Sequence, residues 1–172
     1  MKIMIAGADS YIGRELCGYL AGHQLVRTSR RGLGDMHLDF LSVPQVSMPT
    51  WGDVQAVYIC GAMTRFIDCE SNPLAYRINV DAPVAIAKAM PKARVVYLSS
   101  EAVERALHTA YGMHKALAEM GLRAVCNPVI ARLSKVYPDN LDQVCKWLAG
   151  LAYTVSGVHH MPTEPIAERI AA

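Results

Sequence analysis

The opening residues MKIMIAGADSYIG constrain the fold more than any other stretch. A short apolar run, Lys2–Ala6, breaks at Gly7 into a turn of small residues that closes at Gly13. Apolar residues then recur at helical spacing, at Ile12, Leu16, Tyr19 and Leu20, until Ala21-Gly22 stops them. A strand, a glycine turn and a helix in direct succession can bury their apolar faces only inside a larger layered sheet.

The rest of the chain supplies that sheet. Residues 24–28 predict a second strand. Residues 32–49 are loop-rich, with Gly32, Gly34, Pro44 and Pro49, and carry a short extended piece at 37–40. Strands are predicted at 56–60, 94–99 and 124–133, and helices at 73–90, 109–121, 141–151 and 165–172. Pro83 predicts a kink or break inside the first of these helices. Strands alternating with helices predict a parallel sheet covered by helices on both faces. IMIA, AVYIC and VVYL are continuous apolar runs, as strands buried on both faces require.

With 172 residues the chain makes one substantial core. A net charge of +2 argues against a nucleic-acid or membrane-surface partner. No apolar run is long enough for a membrane span. The apolar start runs straight into the loop motif, unlike a secretory leader. Five cysteines without a C-x-x-C pair predict reduced thiols and a cytoplasmic protein, not a zinc site.

Strand, glycine turn and helix together form the setting of a dinucleotide loop. Gly7 permits the tight turn and Gly13 lets the helix pack close to the strand. The helix N-terminus offers free N–H groups to a pyrophosphate. Ser10 stands at the place of a middle glycine, and its hydroxyl is able to donate to a phosphate oxygen. The alternative is an ordinary strand–helix turn. The second strand ends Val26-Arg27-Thr28-Ser29-Arg30-Arg31, without the carboxylate that holds a ribose 2′-hydroxyl in NAD readers. Arginines grip a 2′-phosphate, so NADP(H) is expected over NAD(H). A solvated basic turn is the plainer alternative.

TAYGMHKALAE places Tyr111 and Lys115 on one face of a helix. An ammonium beside a phenol is expected to lower the tyrosine pKa and ready it for proton exchange with a carbonyl or alcohol. Upstream, VVYLSSEAV ends a strand at Ser99-Ser100, at the sheet edge where ligands sit in open α/β folds.

These motifs, in this order, resemble the extended short-chain dehydrogenase/reductases, the NAD-dependent epimerase/dehydratase group that modifies nucleotide sugars. AMTRFIDCESNPLAYRINVDAPVAIAKAM looks most like the dTDP-4-dehydrorhamnose reductase branch. The resemblance runs from Met1 to about Pro138. It implies a Rossmann-like, doubly wound domain over residues 1–138 and a reduced substrate-side segment over 139–172. It implies cofactor contacts from Gly7, Ser10, Tyr11, Ile12 and Gly13, from Ser29 and Arg30, and from Asp39 and Phe40 at the adenine. Further contacts are implied from Cys60, Gly61 and Ala62 after the fourth strand, from Asn79, Leu98, Tyr111 and Lys115, and from Leu133 and Ser134 near the nicotinamide. It implies hydride transfer to a keto-sugar carbon, with Tyr111 supplying the proton, Lys115 tuning it, and Ser100 bonding the carbonyl oxygen. A homodimer through the helices at 73–90 and 109–121 is also implied. The family has glycine at position 10, a longer segment between Ser100 and Tyr111, and a larger C-terminal domain enclosing a nucleotide sugar.

Other residues read more plainly. His159-His160 lacks partners spaced for a metal. His114 is expected at an exposed helix position. Cys60 reads as a small residue against the cofactor. Asp68, Cys69 and Glu70 are expected to shape a turn. Glu101 is followed by Ala102, which breaks the acidic pair of dehydratases and favours reductase or epimerase chemistry. The alternative to an enzyme is a non-catalytic NADP(H)-binding regulator or partner subunit.

Overall fold

The computed structural model describes residues 1–43 and 53–162. Pro44, Pro49 and the helix expected over 165–172 lie outside the described residues. In chain order the elements are β1 (Lys2–Ala6), α1 (Tyr11–Tyr19), β2 (Gln24–Ser29), β3 (Met36–His37), β4 (Ala56–Ile59) and α2 (Phe66–Ser71). A π-helical turn at Arg77–Asp81 runs into α3 (Ala82–Ala89). Then come β5 (Arg94–Ser100), α4 (Ala102–Arg105), α5 (Ala110–Val125), β6 (Val129–Leu133), α6 (Leu141–Gly150) and β7 (Gly157–His160).

The strands form one seven-stranded sheet in the order β3-β2-β1-β4-β5-β6-β7. Every pairing is parallel. The order reverses between β1 and β4, the switch point at which open α/β sheets leave a crevice beyond their carboxyl ends.

Strand periodicity divides the apolar runs between two cores. Ile3 and Ile5 of β1, Tyr58 of β4, and Val96 and Leu98 of β5 face one side, against Leu16 of α1 and Val144 and Leu148 of α6. Met4 and Ala6, Val57 and Ile59, and Val95 and Tyr97 face the other, against Ile86 of α3 and Leu122 of α5. The Tyr58 hydroxyl is carried into the first core with its polar atom paired. It donates to the Leu148 carbonyl at 3.0 Å and accepts from the Ala152 N–H at 3.3 Å.

The observed elements differ from expectation in places that have local causes. Pro83 falls in the first turn of α3, where its missing N–H is harmless. The chain absorbs it by widening into the π turn just upstream rather than breaking. Asp68, Cys69 and Glu70 lie in α2, not in a turn. Ala124 and Val125 end α5, and the strand they were expected to open begins at Val129. β3 spans only Met36–His37. The tail residues Gly157–His160 form β7 beside β6, so residues from α6 onward extend the same sheet and the same core.

Candidate active site at the sheet's carboxyl edge

The strand β1 ends on a loop whose geometry depends on absent side chains. Gly7 has φ +87°, and a Cβ there would meet the Gly61 nitrogen at 2.7 Å. A Cβ on Gly13 would meet the Gly7 carbonyl oxygen at 2.3 Å. Ser10 is the N-cap of α1: its Oγ accepts from the Gly13 N–H at 3.1 Å. The first-turn N–H groups of Tyr11 and Ile12 have no intrahelical partner. The serine in place of a glycine therefore stabilises the helix start, and its own O–H stays available to donate. The loop fits a pyrophosphate: a cradle that any Cβ would fill, an N-terminal helix end, and one hydroxyl donor.

Two cavities flank this loop and share Ser10, Ala62 and Thr64. The first, about 460 Å³, lies beyond β1, β2 and β4 and is lined by Gly7, Arg30, Asp39, Phe40 and Gly61. The second, about 830 Å³, lies beyond β4, β5 and β6. Its lining includes Tyr11, Ile12, Cys60, Leu98, Ser100, Tyr111, Lys115, Leu133 and Ser134. Together they make a cleft of the size that holds extended small ligands.

Three expected contact residues lie behind this cleft rather than lining it. Gly13 supplies the close helix–strand packing already described. Ser29 is buried, and its Oγ accepts from the Arg31 N–H at 3.0 Å, shaping the turn after β2. Asn79 is buried in the π turn. Its Oδ1 accepts from the Met63 N–H at 2.8 Å and its Nδ2 donates to the Met63 carbonyl at 2.9 Å. It fixes the loop that carries Ala62 and Thr64 into both cavities.

The arginine run is less free than its sequence suggests. Arg27 is forked onto Asp35, at 2.7 and 3.0 Å. Arg31 Nε donates to Asp9 at 2.7 Å. Arg30 has no ion pair among the described residues. Asp35 and Asp9 of the glycine loop thus pair with two of the three arginines.

Strand β5 and helix α5 bring the reactive groups together. Ser99 Oγ donates to the buried Glu119 at 2.6 Å, on the helix-packed side. Ser100 Oγ accepts from the Ala102 N–H at 3.1 Å, and its hydroxyl lies beside the Tyr111 phenol and pulls the phenol's pKa down. Of the two serines, Ser100 is therefore the one free to serve the cavity. Burial pushes the Tyr111 pKa above its ordinary 10, and the Ser100 bond only partly offsets this. The phenol's pKa is thus raised rather than lowered, contrary to the sequence expectation. Lys115 Nζ is 5.9 Å from the Tyr111 ring centroid, donates to the Leu98 carbonyl at 2.8 Å, and lies 4.7 Å from the Tyr97 ring centroid. Burial lowers the Lys115 pKa to about 8.

The family model for the RmlD substrate binding domain matches residues 1–159. The chain belongs to the RmlD substrate binding domain family. No curated protein matches its sequence. Among solved structures, this RmlD-family chain is similar to a hypothetical dTDP-4-dehydrorhamnose reductase from Sulfolobus tokodaii. The TM-score is 0.77 at 21% identity, over 95% of this chain and 77% of that one. It is equally similar to MoeE5, solved with UDP-glucose and NAD, at TM-score 0.77 and 19% identity, over 96% and 77%. A third, a putative NAD-dependent epimerase/dehydratase from Bacillus halodurans, matches at TM-score 0.71 and 17% identity, over 99% of both chains. At these identities the likeness is one of fold. The last match shows the same fold in a chain of about the same length.

Several cleft residues of this RmlD-family chain escaped the sequence reading. Phe66 opens α2 and sets its ring 5.3 Å from that of Tyr111. A stretch read as a turn gave no reason to aim it there. Arg105, ion-paired to Glu101 at 3.2 Å, and Lys135 add charge to the larger cavity. His114 is half-buried rather than exposed, edge-on to Tyr76 at 5.7 Å with its Nδ1 buried. His159 meets the Val155 carbonyl and His160 meets Glu104, each through Nε2. All five cysteines are free, and Cys60 lines the larger cavity. No described helix is long and apolar enough to cross a membrane.

Proposed function

We propose that the protein is an NADP(H)-dependent reductase or epimerase acting on a nucleotide sugar or a similar small carbonyl compound. One observation carries the reading: Ser100, Tyr111 and Lys115 line a single cavity that continues into the glycine loop. Family membership and the likeness to a hypothetical dTDP-4-dehydrorhamnose reductase and to a protein solved with UDP-glucose support the substrate class.

Gly7, Ser10, Tyr11, Ile12 and Gly61 would hold the pyrophosphate and adenosine, with Asp39 and Phe40 at the adenine. Arg30, lacking an acidic partner among the described residues, favours NADP(H) over NAD(H). Leu98, Leu133 and Ser134 would flank the nicotinamide. When bound, that group supplies or accepts hydride. Tyr111 Oη holds the proton for a substrate oxygen. Its raised pKa keeps it protonated at neutral pH, so in the free protein it is an acid awaiting a base-like oxygen. Ser100 Oγ accepts from the Ala102 N–H, and its hydroxyl hydrogen would turn from the Tyr111 phenol to a substrate carbonyl oxygen. Lys115, charged at neutral pH, would favour a developing oxyanion on the substrate. Phe66, Ala106 and Val136 give the cavity part of its apolar lining.

A cytoplasmic location accords with the free thiols. A homodimer through α3 and α5 accords with Met113 and Met120 lying exposed on α5. Sedimentation at a monomer's mass would overturn the dimer.

The test is NADPH oxidation with 4-keto-hexose nucleotides of dTDP and UDP, followed by nicotinamide absorbance, on wild type and Tyr111→Phe. The reading expects turnover in the wild type and a loss of about 10²–10⁴-fold in the variant. NADPH binding without Tyr111-dependent turnover would overturn catalysis and leave a cofactor-binding regulator.

A further inference from the structure

Resting on the dinucleotide reading above, we propose that Asp9 sets the balance between NADP(H) and NAD(H), by competing with a 2′-phosphate for Arg31. The pair spans the two segments that frame the ribose end of such a cofactor. Arg31 follows β2, and Asp9 sits inside the glycine loop after β1. Arg31 Nε donates to Asp9 Oδ2 at 2.7 Å, and Arg31 Nη2 donates to the Asp9 carbonyl at 3.2 Å. The Arg31 N–H is itself held by Ser29 Oγ. The guanidinium is therefore turned onto the loop and neutralised there.

The charge balance of the smaller cavity makes this pair decisive. Its lining carries Arg30, Arg31 and Arg65 against Asp9, Asp39 and Asp68, a formally neutral set. A 2′-phosphate brings roughly −1.5 to −2 charges. Of the three carboxylates, Asp39 accepts from the Leu41 N–H and Asp68 faces Arg65 at 3.7 Å. Asp9 alone is ion-paired to an arginine of the turn after β2. Its side chain is 17% exposed, so the pair is not fully screened by water. Burial raises its pKa, but the bonds from Arg31 and Ser29 outweigh this and keep it charged at neutral pH.

The same carboxylate can do the opposite job. Accepting a hydrogen bond from a ribose 2′-hydroxyl is what an acid at the end of the second strand does in NAD readers. Here the acid arrives from the glycine loop. One ion pair then offers a carboxylate to a hydroxyl and a guanidinium to a phosphate. The wild type accordingly discriminates less between the two cofactors than three arginines would suggest.

The experiment is equilibrium titration of the full chain at low ionic strength, followed by nicotinamide fluorescence with NADPH and NADH. Competition by 2′,5′-ADP and 5′-AMP reads the adenosine end alone. Asp9→Asn is expected to tighten NADPH and 2′,5′-ADP by about tenfold, the worth of one hydrogen bond to a charged group. It is expected to weaken NADH and 5′-AMP severalfold. Asp9→Ser gives the same direction, which guards against a folding defect in either variant. In an Arg31→Gln background the gain for NADPH disappears. An NADPH-to-NADH affinity ratio that Asp9→Asn leaves unchanged overturns the proposal while leaving dinucleotide binding intact. A wild type that binds none of the four probes overturns the dinucleotide reading itself.

Discussion

Replacing Lys115 by methionine should make the protein more stable at neutral pH while abolishing its chemistry. The side chain is 3% exposed and burial lowers its pKa from 10.5 to about 8. That difference corresponds to roughly 3 kcal/mol of destabilisation from holding the charge inside the fold. Methionine removes the charge at similar length. It also leaves the Leu98 carbonyl without its donor, which costs about 1 kcal/mol. The net gain is then about 2 kcal/mol below pH 8, or about 5 °C in melting midpoint for a chain of this size. The sign with pH follows from the direction of the shift. Below about 8 the lysine is protonated in both states and the folded state bears the full cost. Between 8 and 10.5 the unfolded chain binds more protons, so wild-type stability rises with pH and the cost is gone above 10.5. The difference between variant and wild type must shrink across that window. Urea melts of both proteins from pH 6 to 10, without cofactor, read this directly. A variant less stable than wild type at pH 7, or a difference independent of pH, would refute the reasoning.

Three further outcomes are expected. Glu119→Gln removes the buried carboxylate that accepts from Arg132 at 3.0 and 2.7 Å, leaving Glu104 as the arginine's remaining charged partner, and should lower stability by about 2 kcal/mol in urea melts. Burial raises the Glu119 pKa, but its bonds hold it below the ordinary value of 4.5. Its contribution is therefore present above that pH and lost as pH falls, and the variant's melts should lack this part of the acid sensitivity. Asn79→Ala releases both bonds to Met63 and should cost about 2 kcal/mol in the same assay, with weaker NADPH binding through the loosened loop. Ser10→Ala removes the α1 cap and should cost about 1 kcal/mol, seen as a lower melting midpoint.

The layered sheet was legible because its signal is local. IMIA, AVYIC and VVYL are apolar at every position, and only a strand covered on both faces needs that. The glycine loop was legible for the same reason: backbone that must approach backbone forbids side chains at Gly7 and Gly13. What escaped depended on contacts distant in sequence. Nothing near Arg27 or Arg31 shows that Asp35 and Asp9 fold back onto them. The phenol of Tyr111 was expected to feel Lys115 because the two share a helix face. In the fold, the ammonium is drawn to the Leu98 carbonyl and burial governs the phenol instead. α2 was hidden because its six residues are too short to show a helical period, which left Phe66 unplaced. β7 was hidden because GVHH is half polar and pairs on one side only.

The measurement that tests the central claim most directly is hydrogen exchange along the chain with and without NADPH. The account predicts slowed exchange in the glycine loop and the start of α1, in the segment 61–64, and around Ser100 and Tyr111, with α6 and β7 unchanged. Unaltered exchange throughout, or protection confined to segments away from the two joined cavities, would contradict it.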